Sequence, residues 1–92
     1  MALTKETVVD KIEVMEMGEV QVRTATRVLE DGAVLSSSFH RHFLEPSTKD
    51  SGSWADTDIS GEDARVQAVA NATWTDSVKT AYQEMIDAQT LP

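Results

Sequence analysis

The sequence has no cysteine, few basic residues and no long apolar run, and each absence excludes a class of protein. With zero cysteines in 92 residues, neither a disulfide framework nor a thiolate metal site can form. No run of about 18 apolar residues is present, so no segment is expected to span a bilayer. Residues 1–6 also lack the apolar stretch of a secretory signal. These absences favour a cytoplasmic origin, or a virion that is assembled in the cytoplasm.

The charge balance is strongly acidic. Eight lysines and arginines against sixteen aspartates and glutamates give a net charge of −8. Such a charge repels the phosphate backbone of nucleic acids and anionic lipid. We therefore expect no nucleic-acid partner and no membrane partner. The acids are also too scattered along the chain to favour mimicry of DNA.

The composition is that of one small globular domain. Apolar residues make up 40% and charged residues 26% of the chain, which is too apolar for a protein that is disordered throughout. A chain of 92 residues has room for one hydrophobic core, because small domains bury only about 60–70% of their unfolded surface. We predict a single domain over residues 1–92.

The clearest local signal is the pair Asp31-Gly32, which lies between two β-prone runs over residues 19–30 and 33–44. Asp-Gly favours a two-residue type I′ turn, in which both central residues have positive φ. A turn of this kind fixes the register of the two strands. The predicted pairs are Glu30–Ala33, Val28–Leu35, Thr26–Ser37, Thr24–Phe39, Val22–Arg41 and Val20–Phe43.

This register predicts a hairpin with one mostly apolar face and one polar face, because side chains alternate along a strand. The apolar face would join Val20 and Val22 to Phe39 and Phe43. The polar face is expected to contact water and to carry Gln21, Arg23, Ala25 and Arg27 beside Ser36, Ser38, His40 and His42.

A third strand is expected over residues 7–15, where apolar residues alternate with charged ones. A three-residue turn ending in a left-handed Gly18 would place Ile12 opposite Val22 and align the apolar positions. A two-residue turn would instead divide the apolar residues between the two faces. We therefore predict the three-residue turn and an antiparallel meander.

Residues 45–59 are rich in Ser, Thr, Asp and Gly and contain Pro46, so we predict a loop there. Trp54 is the one aromatic residue of this segment. A lone aromatic residue in a polar loop either docks the loop on the body of the protein or lies exposed at a contact surface. Docking is the more common role.

Two amphipathic helices are predicted over residues 61–73 and 76–88. The segment Ser60-Gly61-Glu62-Asp63 has the spacing of a capping box at the first helix, and Thr75-Asp76 supplies a cap for the second. Apolar residues recur at intervals of three and four in both helices. The expected fold is α+β: a three-stranded antiparallel meander with two C-terminal helices packed on one face.

The segment Phe39-His40-Arg41-His42-Phe43 has the character of a chemical site. His40 and His42 lie two apart on a strand and project from one face, beside Arg23 of the neighbouring strand. Two neutral imidazoles can ligate zinc or copper, but a third protein ligand is normally needed, and the charge of Arg23 disfavours a cation. The alternatives are cross-strand hydrogen bonds and a subunit contact with an acidic patch.

Arg41 is placed by this register on the face assigned to the core, where an unpaired guanidinium is energetically costly. One expectation is that it meets a carboxylate, with Asp58, Glu62 and Asp63 as the candidates. The other is that its stem packs while its charged end reaches water.

Several segments are similar to those of another group of proteins: Arg23-Thr24-Ala25-Thr26, Glu30-Asp31-Gly32, Ser38-Phe39-His40-Arg41-His42, Ser60-Gly61-Glu62-Asp63 and Trp74-Thr75. In them the chain resembles small uncharacterised proteins of tailed bacteriophages and prophages, marine phages among them. The likeness covers most of the chain, although the loop over residues 48–56 is longer here than in many of those proteins. The resemblance implies a phage setting, in the virion or in the host cytoplasm, and no particular activity.

The leading hypothesis is a non-enzymatic phage protein, either a minor tail-associated structural component or an accessory. It would act through contacts with itself, as a homo-oligomer, or with other phage proteins, and the last strand leaves backbone groups open for strand addition. The interaction candidates are Arg23, His40, Arg41, His42 and Trp54.

The alternative is a metal-binding module or a small metalloenzyme centred on His40 and His42. Otherwise nothing in the sequence indicates catalysis, because no Gly-rich phosphate loop, nucleophile elbow or thiol is present. We predict no catalytic residue and no cofactor.

Overall fold

The computed structural model describes residues 2–89, which form strands followed by two helices. The elements in chain order are β1 (Leu3–Val14), β2 (Val20–Glu30), β3 (Ala33–Leu44), β4 (Ser47–Asp50), β5 (Ser53–Asp56), α1 (Ala64–Thr73) and α2 (Asp76–Gln89). An antiparallel sheet has the order β1-β2-β3, and β4 and β5 form a separate hairpin. The predicted α+β meander with two C-terminal helices is confirmed.

β1 and β2 are joined by the three-residue turn that the sequence predicts. Gly18 has a φ of +91°, which is the left-handed conformation that glycine adopts without strain. Val14 lies opposite Val20 and Ile12 opposite Val22, so the apolar positions of the two strands align. β1 begins before residue 7, the predicted start, and reaches back to residue 3.

β2 and β3 turn at Asp31 and Gly32, whose φ values of 51° and 86° fit a type I′ turn. The predicted register holds only for the two pairs next to this turn. Leu29 pairs with Val34, but Val28 pairs with Ser36, so one residue of β3 is left over as a β-bulge.

This bulge, at Leu35, shifts the rest of the β2–β3 register by one residue. Val22 lies opposite His42 instead of Arg41. Because side chains alternate along a strand, a shift of one residue exchanges the two faces of β3. The predicted register was therefore wrong beyond the bulge. The shift places the imidazole of His42, and not the guanidinium of Arg41, on the side of the core. An imidazole with a carboxylate partner is less costly to cover than an unpaired guanidinium.

The segment predicted as a loop contains the β4–β5 hairpin, so the loop prediction was wrong for residues 47–56. Ser51 and Gly52 have φ values of 51° and 83°, the same pair of left-handed conformations as at Asp31 and Gly32. Ser-Gly between short runs of Thr, Lys, Trp and Ala is a usable hairpin signal. The many polar residues around it concealed that signal.

Helix α1 begins after Asp63, whose carboxylate accepts a hydrogen bond from Arg65 N at 3.0 Å. The cap is therefore Asp63 and not the predicted Ser60. The chain first turns at Asp58, whose Oδ1 accepts from Ser60 N at 2.9 Å. The predicted cap of α2 is confirmed, because Thr75 Oγ1 accepts from Val78 N at 3.3 Å. Neither helix within residues 2–89 is long and apolar enough to cross a membrane.

The core lies where the helices cover one end of the sheet. Its buried side chains are Val20 and Val22 of β2 with Val66, Ala70 and Trp74 of the helical layer. We call the sheet face that carries Val20 and Val22 the inner face, and the opposite one the outer face. Around this cluster pack the half-buried residues Val9, Ile12, Leu44, Ile59, Val69 and Val78.

The β1–β2 turn is bound directly to the helices. Trp74 Nε1 donates a hydrogen bond to Gly18 O at 2.7 Å in a buried position. A Cβ atom on Gly18 would lie 2.5 Å from Cγ1 of Val78 and 3.2 Å from Cγ of Pro46. Only glycine therefore fits between the indole and the start of α2.

The rest of the sheet projects beyond the helices as an arm, formed by residues 3–8, 25–30 and 33–39. The protein measures 59 × 27 × 24 Å and has a radius of gyration of 17.2 Å, against about 12 Å for a compact chain of this length. Its accessible surface is 6197 Å², whereas a compact monomer of this mass exposes about 5,300 Å². The arm thus leaves roughly 900 Å² more surface in water than a compact fold would.

We predict that Gly18→Ala destabilises the protein by about 2–4 kcal/mol, because it combines left-handed strain with overpacking against Val78. Gly52→Ala is the matched control, since Gly52 has a φ of +83° and an added Cβ atom would meet nothing within 4 Å. It should cost only the strain, about 1–2 kcal/mol. Urea unfolding measures both values, and equal losses would contradict the close packing at Gly18.

Candidate functional site

The outer face of the sheet has no helix over it and is an open surface that could bind a partner. The register places residues of all three strands on this face. They include charged, polar and apolar side chains: Glu6, Val8, Lys11 and Glu13 of β1, Gln21, Arg23, Ala25 and Arg27 of β2, and Ser37, Phe39, Arg41 and Phe43 of β3.

Both phenylalanines of the chain lie on the outer face and are exposed. Phe39 is 56% exposed and Phe43 59% exposed. Trp74 and Tyr82, in contrast, are buried in the helical layer. Large exposed aromatic side chains are enriched where proteins bind one another. The phenylalanines lie two residues on either side of Arg41, so we call Phe39, Arg41 and Phe43 the β3 strip.

Arg23 is fixed on this face by a paired carboxylate. Its Nε and Nη2 donate to Oδ1 and Oδ2 of Asp10 at 3.0 and 2.7 Å, which is the two-pronged geometry of a strong ion pair. Asp10 is the extra residue of a bulge between Val9 and Lys11 in β1, and this bulge turns its carboxylate toward Arg23. The guanidinium also lies 4.4 Å from the centre of the Phe39 ring, within range of a cation–π interaction.

The same contact shifts the titration of both partners. The hydrogen bond from Arg23 holds the pKa of Asp10 below its ordinary value, against a smaller opposing effect of burial. The bond to Asp10 raises the pKa of Arg23. Both groups therefore remain charged over the physiological pH range.

Arg41 has no acidic partner among residues 2–89. It lies opposite Arg23 on the outer face and is exposed. The expectation that it lies on the core face, next to Asp58, Glu62 or Asp63, was wrong, because the bulge at Leu35 turns it away from the helices. It is an exposed cation between two exposed phenylalanines.

The two histidines lie on the inner face, at the margin of the core, and not on the open face where the sequence placed them. Nε2 of His42 donates to Oε1 of Glu62 at 2.8 Å, and the His40 ring stacks on His42 with centroids 6.3 Å apart. The two imidazoles do lie side by side, as expected, but they are separated from Arg23 by the sheet. Within residues 2–89 no three His, Asp or Glu side chains are arranged to hold a metal ion.

Trp54 docks the β4–β5 hairpin on α2, which is the favoured of its two predicted roles. Its ring meets Tyr82 edge-on, with centroids 6.3 Å apart, and Lys49 Nζ lies 5.4 Å from the Trp54 centroid. Lys49 also binds Asp87 at 2.9 Å. Hydrogen bonds from Lys49 and then Trp54 lower the pKa of Asp87, while burial and the nearby Glu45 carboxylate raise the pKa of Tyr82 to about 12.

Sequence reasoning missed Phe39 and Phe43 as surface residues and Asp10 as the partner of Arg23. It assigned both phenylalanines to the core because the unbulged register aligned them with apolar residues of β2. The signal against that register was Arg41 itself, because a guanidinium between two core aromatics is an improbable arrangement. Nothing in the sequence marks Asp10 as a bulge.

No protein-family model, no curated protein and no solved structure matches this chain. The functional interpretation therefore depends on the geometry of the outer face and of the β3 edge.

We predict that Asp10→Asn weakens the protein at neutral pH and flattens the fall of stability in acid. Because the pKa of Asp10 is lowered in the folded state, its contribution is fully present above about pH 4, the pKa of an unfolded aspartate. The contribution is lost as the pH falls through the lower folded value. Unfolding free energy measured by urea titration across this acid range tests the prediction.

The companion variants are Arg23→Gln and the double variant. Since both residues act in one ion pair, the double variant should lose no more stability than either single variant. Additive losses, or an acid limb unchanged by Asp10→Asn, would contradict the assignment.

Proposed function

We propose that this chain is a non-enzymatic protein-interaction module that serves a bacteriophage as a minor tail-associated structural component or as an accessory of structural proteins. The phage setting comes from the sequence resemblance over the hairpin, the start of α1 and the junction before α2. The mode of action comes from the outer face of the sheet.

The observation that carries the proposal is the exposure of the β3 strip. Phe39 and Phe43 are each more than half exposed, and Arg41 between them has no ion pair within residues 2–89. Aromatic residues and arginine are the side chains that contribute most to protein interfaces. The hollow that Lys11, Arg23 and Arg41 line on this face has a volume of about 10 Å³, which is too small for a substrate and favours a macromolecular partner.

The charge distribution supports the same interpretation. Four of the eight basic residues of the chain lie on the outer face: Lys11, Arg23, Arg27 and Arg41. Three acids, Glu6, Asp10 and Glu13, accompany them. The outer face therefore carries a net charge of about +1, whereas the rest of the molecule is strongly negative. An approaching protein meets the least electrostatic repulsion there if it is acidic or neutral.

Mass spectrometry of purified, cross-linked virions tests the proposal. We expect the chain to be present in the particles and Lys11, on the outer face, to cross-link to a neighbouring protein more than Lys79, which is held by Asp56 at 2.9 Å on the helical side. Arg41→Ala and Phe43→Ala should reduce incorporation into particles. Leu3→Ala, a change at an exposed residue of the arm outside the β3 strip, is the control.

Absence of the chain from particles, together with no phage protein bound to it in infected cells, would overturn the proposal. Equal loss of incorporation in Leu3→Ala would show that the β3 strip is not the contact.

A further inference from the structure

We infer that the free edge of β3 pairs antiparallel with β3 of a second copy of this chain, about a two-fold axis close to Ser38, to form a continuous six-stranded sheet. This inference rests on the proposed function and names the partner. The outer-face side chains do not account for the unpaired backbone N–H and C=O groups along β3. The inference gives these groups a role.

The sheet has two edges, and only one of them is protected. β1 carries the charged residues Lys5, Glu6, Asp10, Lys11 and Glu13, a bulge at Asp10, and a carbonyl at Val9 that accepts from the guanidinium of Arg65. Charges, bulges and occupied backbone groups are the devices that prevent strand addition. The β1 edge is therefore a poor template for another strand.

The β3 edge has almost none of these devices. Residues 33–40 contain no Asp, Glu, Lys or Arg, no proline and no glycine. Residues 33–41 are all exposed. The bulge at Leu35 interrupts the edge only near the turn. Residues 36–42 remain as a regular strand, of which residues 36–40 pair with their counterparts about an axis at Ser38.

The chemistry of this edge fits a second copy. Two chains that each carry a charge of −8 repel one another wherever acids meet, and β3 is a long strand without any acid. Antiparallel pairing about Ser38 places Ser38 opposite its own counterpart and Ser36 opposite His40, where hydroxyl and imidazole groups can form hydrogen bonds. The two Phe39 rings then flank the axis as diagonal neighbours on the outer face, within reach of each other. No like charges meet in this arrangement.

Pairing also covers surface that the fold leaves in water. The protein exposes roughly 900 Å² more than a compact monomer of its mass, and residues 33–41 of β3 are all exposed. An uncovered sheet of three strands with exposed apolar groups on its outer face gains stability when another strand extends it.

Charge substitutions at Ser38 test the inference, because a residue on a two-fold axis meets itself. Ser38→Lys and Ser38→Glu should each weaken dimerisation by roughly tenfold or more, since like charges become opposed. An equimolar mixture of the two variants should restore a dimer, now with one of each chain, because opposite charges meet. Light scattering with size-exclusion chromatography over a concentration series, and native mass spectrometry of the mixture, provide the measurements.

Thr7→Lys is the matched control. Thr7 and Ser38 both lie opposite Thr26, on the β1 and β3 edges respectively, and both are exposed. Thr7→Lys should leave the dimer unchanged. Circular dichroism and urea unfolding confirm that each variant is folded, so that loss of the dimer is not confused with loss of structure.

A wild-type chain that stays monomeric throughout the series overturns the inference, as does a dimer that Ser38→Lys leaves intact or that mixing the variants fails to restore. The proposed function fails separately. A dimer whose chain is absent from particles and binds no phage protein in infected cells overturns the phage assignment alone. A monomer that is found in particles overturns the second-copy inference alone.

Discussion

The indole of Trp74 donates to the carbonyl of Gly18 at 2.7 Å, and this buried bond fixes the helices to the sheet. The carbonyl belongs to the β1–β2 turn, so the bond joins residues 56 positions apart at the end where the core lies. Gly18 can approach so closely because it has no Cβ, and its left-handed φ of +91° directs its carbonyl into the helical layer. The helices are therefore held at one end of the sheet, and the arm at the other end is uncovered as a consequence.

In the uncovered arm, the two faces of the sheet expose different side chains to water. Near the core the inner face is apolar and buried, but toward the turn at Asp31 and Gly32 its residues are mostly hydroxyl-bearing, with Thr24 and Thr26 of β2 beside Ser36 and Ser38 of β3. The outer face keeps apolar side chains along its whole length, from Phe43 to Leu29. Because water solvates the inner side of the arm well, any gain from covering the arm comes from the outer face and the strand edge.

Turn chemistry and periodicity were enough to predict the fold, because Asp31-Gly32, Gly18 and the helical stripes are each local signals whose physical meaning does not depend on the rest of the chain. The β4–β5 hairpin was missed although Ser51-Gly52 carries the same kind of signal, since a polar composition favours a loop interpretation. Arg41 between two supposed core phenylalanines argued against the unbulged register, but the sequence alone could not place the bulge, because its position depends on the relative cost of burying His42 or Arg41. That comparison needs Glu62, which lies 20 residues away from His42 and becomes its partner only in the folded chain.

The two bulges of the sheet have opposite effects on whether its two edges can pair with another strand. In β1 the extra residue is Asp10, which neutralises Arg23 and adds a charge and a backbone irregularity to an edge already rich in charges. In β3 the extra residue is Leu35, which turns Arg41 and both phenylalanines outward and leaves an uncharged, regular strand beyond it. A bulge that served only to relieve packing around His42 could lie anywhere between the turn and that residue. Its position next to the turn leaves the longest unbroken edge beyond it, and a long uncharged edge is a ready template for another strand.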